Sequence, residues 1–293
     1  MMNGYRILLT GGSGDLGAVL TPLCVARGEV PVIFDVRRPQ REGGEYVAGS
    51  ILEWEQLAAG MAGCELVVHI AAWHGIHWVR GEKDVYDFWD LNVTGTFYVM
   101  EAAVRAGIKK FIYISSTSVS AWPDVYGSSK VLGEEVVRAY GARHGLEVIV
   151  LRPRAFIPHW NRETYEDYVA WARWFWKGAV HIDDVAQAVL LSIDRLRGEG
   201  VEEMLTLVVD GAYDFDEETW AHWDKEGKGS SFRRVYPEYV DVAERYGFDI
   251  GLKPKRLDMG ETWRWLGYEP QYSLGNLLVE LAAYGVEGPP RPF

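Results

Sequence analysis

The sequence predicts an α/β fold: a doubly wound parallel sheet with a small C-terminal substrate lobe. Three observations predict it. Short apolar, β-branched runs alternate with helix-length amphipathic segments through the first half of the chain, and a glycine-rich turn joins the first run to the first helix. After residue 153 this alternation gives way to aromatic and charged sequence.

Along the chain, strands are expected at residues 7–10, 30–34, 65–70, 110–114 and 147–151, with a weaker one at 46–48. Their nearly continuous apolar character is that of strands covered by helices on both faces. A helix over residues 182–197 and a strand at 204–209 follow. The expected organisation is a nucleotide-binding type of domain over 1–153, to which 181–209 returns, and a lobe built from 154–180 and 210–293. Residues 227–231 read as a loop and 288–292 as a tail that cannot be helical.

Composition limits the partners. A chain of 293 residues that is 48% hydrophobic can bury a full core, and its net charge of -12 argues against nucleic acid or an anionic membrane surface as the main partner. The first apolar run is too short for a signal peptide, and no later run reaches the roughly 18 residues of a membrane span, so a cytoplasmic location is expected. Cys24 and Cys64 are far apart and lack metal-ligand spacing. They read as core thiols, with neither a disulfide framework nor a metal site expected.

The turn after the first strand is Thr10-Gly11-Gly12-Ser13-Gly14-Asp15-Leu16-Gly17, and the second strand ends before Asp35. Glycines permit the tight turn, the approach of backbone to a pyrophosphate and the packing of helix on strand, while the helix N-terminus offers N–H groups to the anion. With the carboxylate at the fingerprint spacing, this is a Rossmann-type dinucleotide site. Asp35 can accept hydrogen bonds from the adenosine ribose hydroxyls and would repel a 2′-phosphate, which favours NAD over NADP. Arg37 and Arg38 pull the other way, since either can neutralise a phosphate.

Tyr126-Gly127-Ser128-Ser129-Lys130 places a phenol and an ammonium four residues apart, on one face of a helix. A nearby cation favours the phenolate, so Tyr126 can act as a general base toward a hydroxyl while Lys130 also holds the nicotinamide ribose. The preceding strand ends in Ile114-Ser115-Ser116-Thr117, small hydroxyls at the carboxyl edge of the sheet, where open α/β folds bind ligands. Thr117 is expected to bond the reacting oxygen.

In this order these landmarks, with His69-Ile70-Ala71-Ala72, Asn92, Leu151-Arg152-Pro153, His181-Ile182-Asp183-Asp184-Val185-Ala186 and Leu266-Gly267-Tyr268-Glu269-Pro270, resemble the extended short-chain dehydrogenase/reductase family, the NAD-dependent epimerases and dehydratases of sugar chemistry. The resemblance implies bound NAD. Its contacts are then Gly11, Gly14, Asp15, Leu16, Gly17, Asp35, Ser50 and Ile51 near the adenine, Ala71, Ala72, Asn92, Ser115, Tyr126, Lys130, Arg152 and Pro153. His69 and Asn92 have structural readings too, as a histidine closing a strand and an asparagine bonding backbone. His181 and Asp184 are expected to tie the two lobes together.

One departure from the family pattern stands out: only nine positions separate Thr117 from Tyr126. Either the loop is trimmed for a different substrate, or Thr117 is offset and Ser115 or Ser116 takes the hydroxyl role. Homodimer formation is also implied, through helices near 84–106 and 126–144, with Val85, Phe88, Val99, Val136, Val137 and Tyr140 facing either the partner or the sheet.

The activity expected is oxidation of a secondary hydroxyl on a sugar or sugar-like small molecule, with or without return of hydride as in an epimerase. A nucleotide-sugar 4-epimerase and a non-catalytic NAD-binding regulator are the alternatives. The segment between residues 158 and 181 is short and holds Trp160, Trp171, Trp174 and Trp176. These rings either fill the lobe's own core or line a compact pocket over Tyr126 for a monosaccharide-sized ligand. On the second reading Trp73, His74, Thr117, Trp122, Arg154 and Trp174 contact the substrate.

Overall fold

A computed structural model describes residues 4–120 and 124–290. Trp122 lies outside the described residues. Seven strands form one parallel sheet in the order β3-β2-β1-β4-β5-β6-β7. They are β1 (Arg6–Thr10), β2 (Val30–Asp35), β3 (Glu45–Ala48), β4 (Leu66–His69), β5 (Lys110–Ile114), β6 (Glu147–Pro153) and β7 (Leu205–Val209). The helices of the first half are α1 (Asp15–Ala26), α2 (Trp54–Met61), the short α3 (Gly75–Val79) and α4 (Val85–Phe88), α5 (Gly95–Arg105) and α6 (Val125–His144). Between α4 and α5 the chain makes a π-helical stretch, Trp89–Thr94. The strand expected at 46–48 is present as β3, paired to β2 at the edge of the sheet.

Two compact units result. One comprises the chain up to Pro153 together with Val185–Val209 and Gly260–Tyr268; the other comprises Arg154–Asp184, Asp210–Met259 and the chain from Glu269 onward. Strands β2 and β4 are buried along their whole length, as central strands covered on both faces must be. On one side of the sheet Leu8, Phe34, Val67, Phe111 and Val150 pack with Leu57 and Met61 of α2, Val99 and Met100 of α5 and Val137 of α6. The return of residues 260–268 has no periodic signal in the sequence. It is fixed by a hydrogen bond of 2.6 Å from Thr262 Oγ1 to the Val208 carbonyl at β7.

The smaller unit has its own core, and the tryptophans belong to it. Trp171 and Trp176 of the segment 154–184 pack with Tyr168, Phe175, Phe232, Phe248 and Leu277. Their indole N–H groups donate to carbonyls of the same unit, Ile157 at 2.8 Å and Asp249 at 3.2 Å. Trp160 is buried beside His159, and Trp174 is half-buried against the ring of Tyr165 at 5.4 Å. Of the two readings of this stretch, the structure supports the core: aromatic rings bury about 150–250 Å² each, and a small unit gains most by burying them.

Among the residues offered for pairing of two copies, Phe88, Val99 and Val137 are buried in the monomer's own core. Val85 is exposed, as are Phe97 on α5 and Leu132 on α6. Among the described residues no helix is long and apolar enough to cross a membrane.

Candidate active site

The carboxyl ends of β1, β4, β5 and β6 bring the predicted residues to one edge of the sheet. At the first of these, Gly11 has φ +67, and a Cβ there would stand 2.7 Å from the Ala71 Cα. A Cβ on Gly17 would come within 2.2 Å of the Gly12 carbonyl oxygen, so α1 can approach the turn only with glycine at that position. Ala71 is held against the loop by its N–H bond to the Thr10 carbonyl, 3.0 Å. Leu16 is buried under α1, and Ile51 is buried beneath Gly95.

The loop suits a dinucleotide. Helix α1 begins at Gly14 with no side chain capping it, which leaves N–H groups of its first turn available to an anion. Asp35 stands beside the loop: its carboxylate accepts the backbone N–H of Ser13 at 3.1 Å and of Arg37 at 2.9 Å. The Arg37 side chain is itself 71% exposed, with its Nε 3.9 Å from the carboxylate. Ser50 lies on the following turn, tied to the end of β2 by the Gly49 N–H bond to the Asp35 carbonyl. Its hydroxyl accepts from the Leu52 N–H within that turn.

Helix α6 starts one residue before Tyr126 because the Asp124 carboxylate caps it, accepting from Gly127 N–H at 2.7 Å. Lys130 is buried and its Nζ donates to the Ile114 carbonyl at the end of β5, 2.9 Å away, above the Tyr113 ring. Burial pushes this ammonium down to about 7, opposed by Glu134. Burial likewise pushes the Tyr126 phenol up to about 12, and the hydroxyl that opposes the shift is Ser116's. Thr117 opens a short 3-10 turn, Thr117–Ser120. Ser115 points the other way and donates to Glu134.

The segment after β4 covers the phenol. A Cβ on Gly75 would lie 3.3 Å from Tyr126 Cδ1, and the Phe88 ring meets Tyr126 edge-on at 6.4 Å. Asn92 fixes this segment: its Oδ1 accepts the Trp73 N–H at 2.7 Å, and its Nδ2 donates to the Trp73 carbonyl at 3.0 Å and to Ser129 Oγ at 2.9 Å. The amide that the resemblance counts among the cofactor contacts is therefore occupied by protein partners. His69 is buried between Thr10 Oγ1 (2.7 Å) and Thr96 Oγ1 (3.0 Å), and burial keeps it neutral, its pKa down to about 3.

Two further expected contacts have other occupations. Arg152 gives its Nε (2.9 Å) and Nη2 (2.5 Å) to the Glu134 carboxylate. Arg154, expected at the substrate, is buried in the smaller unit, where its Nη1 donates to Asp210 at 3.0 Å and to the Lys255 carbonyl at 2.6 Å. His181 stacks on Tyr272, and Asp184 accepts the N–H groups of Gln271 and Tyr272; these partners lie within the same unit. Burial pushes Asp184 up to about 6 against those two bonds. Glu134 escapes sequence reasoning, although a glutamate one turn beyond Lys130 is a recognisable helix-face pair.

Comparison with known proteins agrees with this architecture. The UDP-glucose 4-epimerase of Rhizobium meliloti (strain 1021) is 24% identical over 94% of this chain and 95% of its own. The uronate dehydrogenase of Pseudomonas putida is 27% identical, over 52% of this chain and 62% of the relative. The UDP-glucuronic acid 4-epimerase of Bacillus cereus, solved with UDP-glucuronic acid and NAD, superposes with a TM-score of 0.70 at 17% identity, covering 94% of this chain and 97% of that one. The family model for NAD dependent epimerases and dehydratases matches residues 7–170, which include the glycine loop, the Tyr–Lys helix and six of the seven strands. The protein therefore belongs to the NAD dependent epimerase/dehydratase family, among the extended short-chain dehydrogenases, and is an NAD-dependent enzyme.

Proposed function

We propose that the protein acts on a secondary hydroxyl of a sugar or sugar-like molecule of monosaccharide size, with Tyr126 as general base. The observation that carries this reading is the start of α6, where Tyr126 and the buried Lys130 lie one turn apart. A phenol pushed up by burial is a poor base until positive charge stands beside it. Lys130 provides such a charge, held in place by the Ile114 carbonyl. Tyr126 then takes the hydroxyl proton while the hydrogen on the same carbon departs as hydride, for which bound NAD supplies the acceptor. Either Ser116, whose hydroxyl favours the Tyr126 phenolate, or Thr117 then orients the substrate oxygen.

Asp35 is proposed as the ribose selector. Charge-assisted hydrogen bonds contribute about 1.5–3 kcal/mol, so Asp35→Ala is expected to weaken NAD at least roughly tenfold by calorimetry. Unchanged affinity would remove Asp35 from the cofactor site.

Small substrate size is supported by the smaller unit, whose interior is occupied by its own aromatic core and by the Arg154–Asp210 pair. The rival reading, a nucleotide-sugar 4-epimerase, is favoured by the full-length match to the Rhizobium meliloti enzyme. Formation of reduced nicotinamide is expected with a member of a panel of free sugars and uronates. Calorimetry with UDP and UDP-glucose is expected to give no binding at micromolar concentration; micromolar binding of either restores the rival.

A further inference from the structure

We infer that Glu134 is a positioning residue: its buried carboxylate, clamped by Arg152 and Ser115, fixes the strand end whose Ile114 carbonyl holds Lys130. The inference rests on the reading of Lys130 as the cation beside Tyr126.

Three hydrogen bonds converge on this carboxylate. Arg152 of β6 grips it with two nitrogens, at 2.9 and 2.5 Å, and Ser115 donates to the same oxygen that receives Arg152 Nε. Ser115 is also the residue after Ile114, whose carbonyl takes the Lys130 ammonium, and its N–H bonds the Leu151 carbonyl at 2.8 Å. One carboxylate thus ties α6, β5 and β6 together where the Lys130 acceptor and the neighbouring Ser116 are presented. A bidentate guanidinium pair has a fixed plane, so it holds the carboxylate's direction as well as its place.

The groups facing Lys130 from each element are few. Tyr113 of β5 lies beneath it, with the ammonium 5.0 Å from the ring. His69 of β4 and His74 of the next segment are both disfavoured as cations, first by burial and then by Lys130. Tyr126 lies one turn back on α6, and Glu134 one turn on. Among these the carboxylate that favours the ammonium is Glu134's.

The test is the titration of Lys130 itself, followed by NMR in cofactor-free protein carrying 13Cε-labelled lysine. In Glu134→Gln, which keeps shape and loses charge, the midpoint is expected to fall by about one pH unit, and kcat/KM at pH 7 to fall about fivefold. Glu134→Asp keeps the charge and shortens the reach. It is expected to hold the midpoint while turnover drops several-fold, and it serves alone should the Gln variant fail to fold. An unmoved midpoint in Gln, a midpoint that moves in Asp, or full turnover in Asp overturns the inference. A shifted midpoint in a protein that oxidises no alcohol supports it and sinks the proposed reaction instead.

Discussion

Replacing Tyr126 with Phe is expected to lower turnover about a thousandfold while NAD affinity stays within about twofold. The expectation follows from geometry. The ring is held by Gly75 and Phe88, so Phe fills the same space and removes only the proton acceptor. The pH dependence carries a second signature. With the phenol pushed up to about 12 and Lys130 down to about 7, the phenolate–ammonium pair is a minority state, and wild-type kcat/KM is expected to rise up to about pH 7 and to level off above it. The rising limb is expected to vanish in Tyr126→Phe. A variant that retains most of its turnover, or loses turnover with the rising limb intact, removes Tyr126 from the proton transfer.

The second large effect concerns stability. Asp210→Ala is expected to destabilise the smaller unit by about 3–5 kcal/mol, the usual result of leaving one member of a buried ion pair behind. Asp210 is fully buried and accepts from Arg154, from Tyr213 Oη at 2.5 Å, and from the N–H groups of Gly211 at 2.9 Å and Leu257 at 3.0 Å. Alanine strands the Arg154 guanidinium beside the Lys255 carbonyl and removes an acceptor from two backbone donors as well. Thermal unfolding, at about 2–4 °C per kcal/mol for a chain of comparable size, should show a fall of roughly ten degrees. A change below about 1 kcal/mol in urea melts would mean that Arg154 finds another partner and that the pair has no structural part.

How much of this is legible in the sequence divides along a physical line. The glycine loop, the strands and the Tyr126–Lys130 pair are local: a turn needing φ +67 at Gly11, apolar runs of strand length and a four-residue spacing are each written in a few adjacent positions. Pairings that cross the chain are not. Arg154 and Asp210 are 56 residues apart, and Arg152 reads as a cofactor contact because nothing near it in sequence announces Glu134, 18 positions back. The end of β5 is hidden in the same way. That point is set by the bonds of Ile114 and Ser115 to Lys130 and Leu151, and no local residue preference reveals it. The tryptophans mislead differently: their spacing says that one surface is apolar, but a core and a pocket wall are equally apolar.

Asn92 gives the exit from β4 an unusual kind of edge. Its amide offers Trp73 an acceptor and a donor, at 2.7 and 3.0 Å, which is the service a neighbouring strand performs in a sheet. A single side chain here acts as a one-residue strand, and it is moored to the first turn of α6 through Ser129. The path of the chain beyond Ala72 is therefore inherited from the helix and not from the loop's own sequence. Side chains along that path can be exchanged over evolutionary time without redirecting the backbone that carries them.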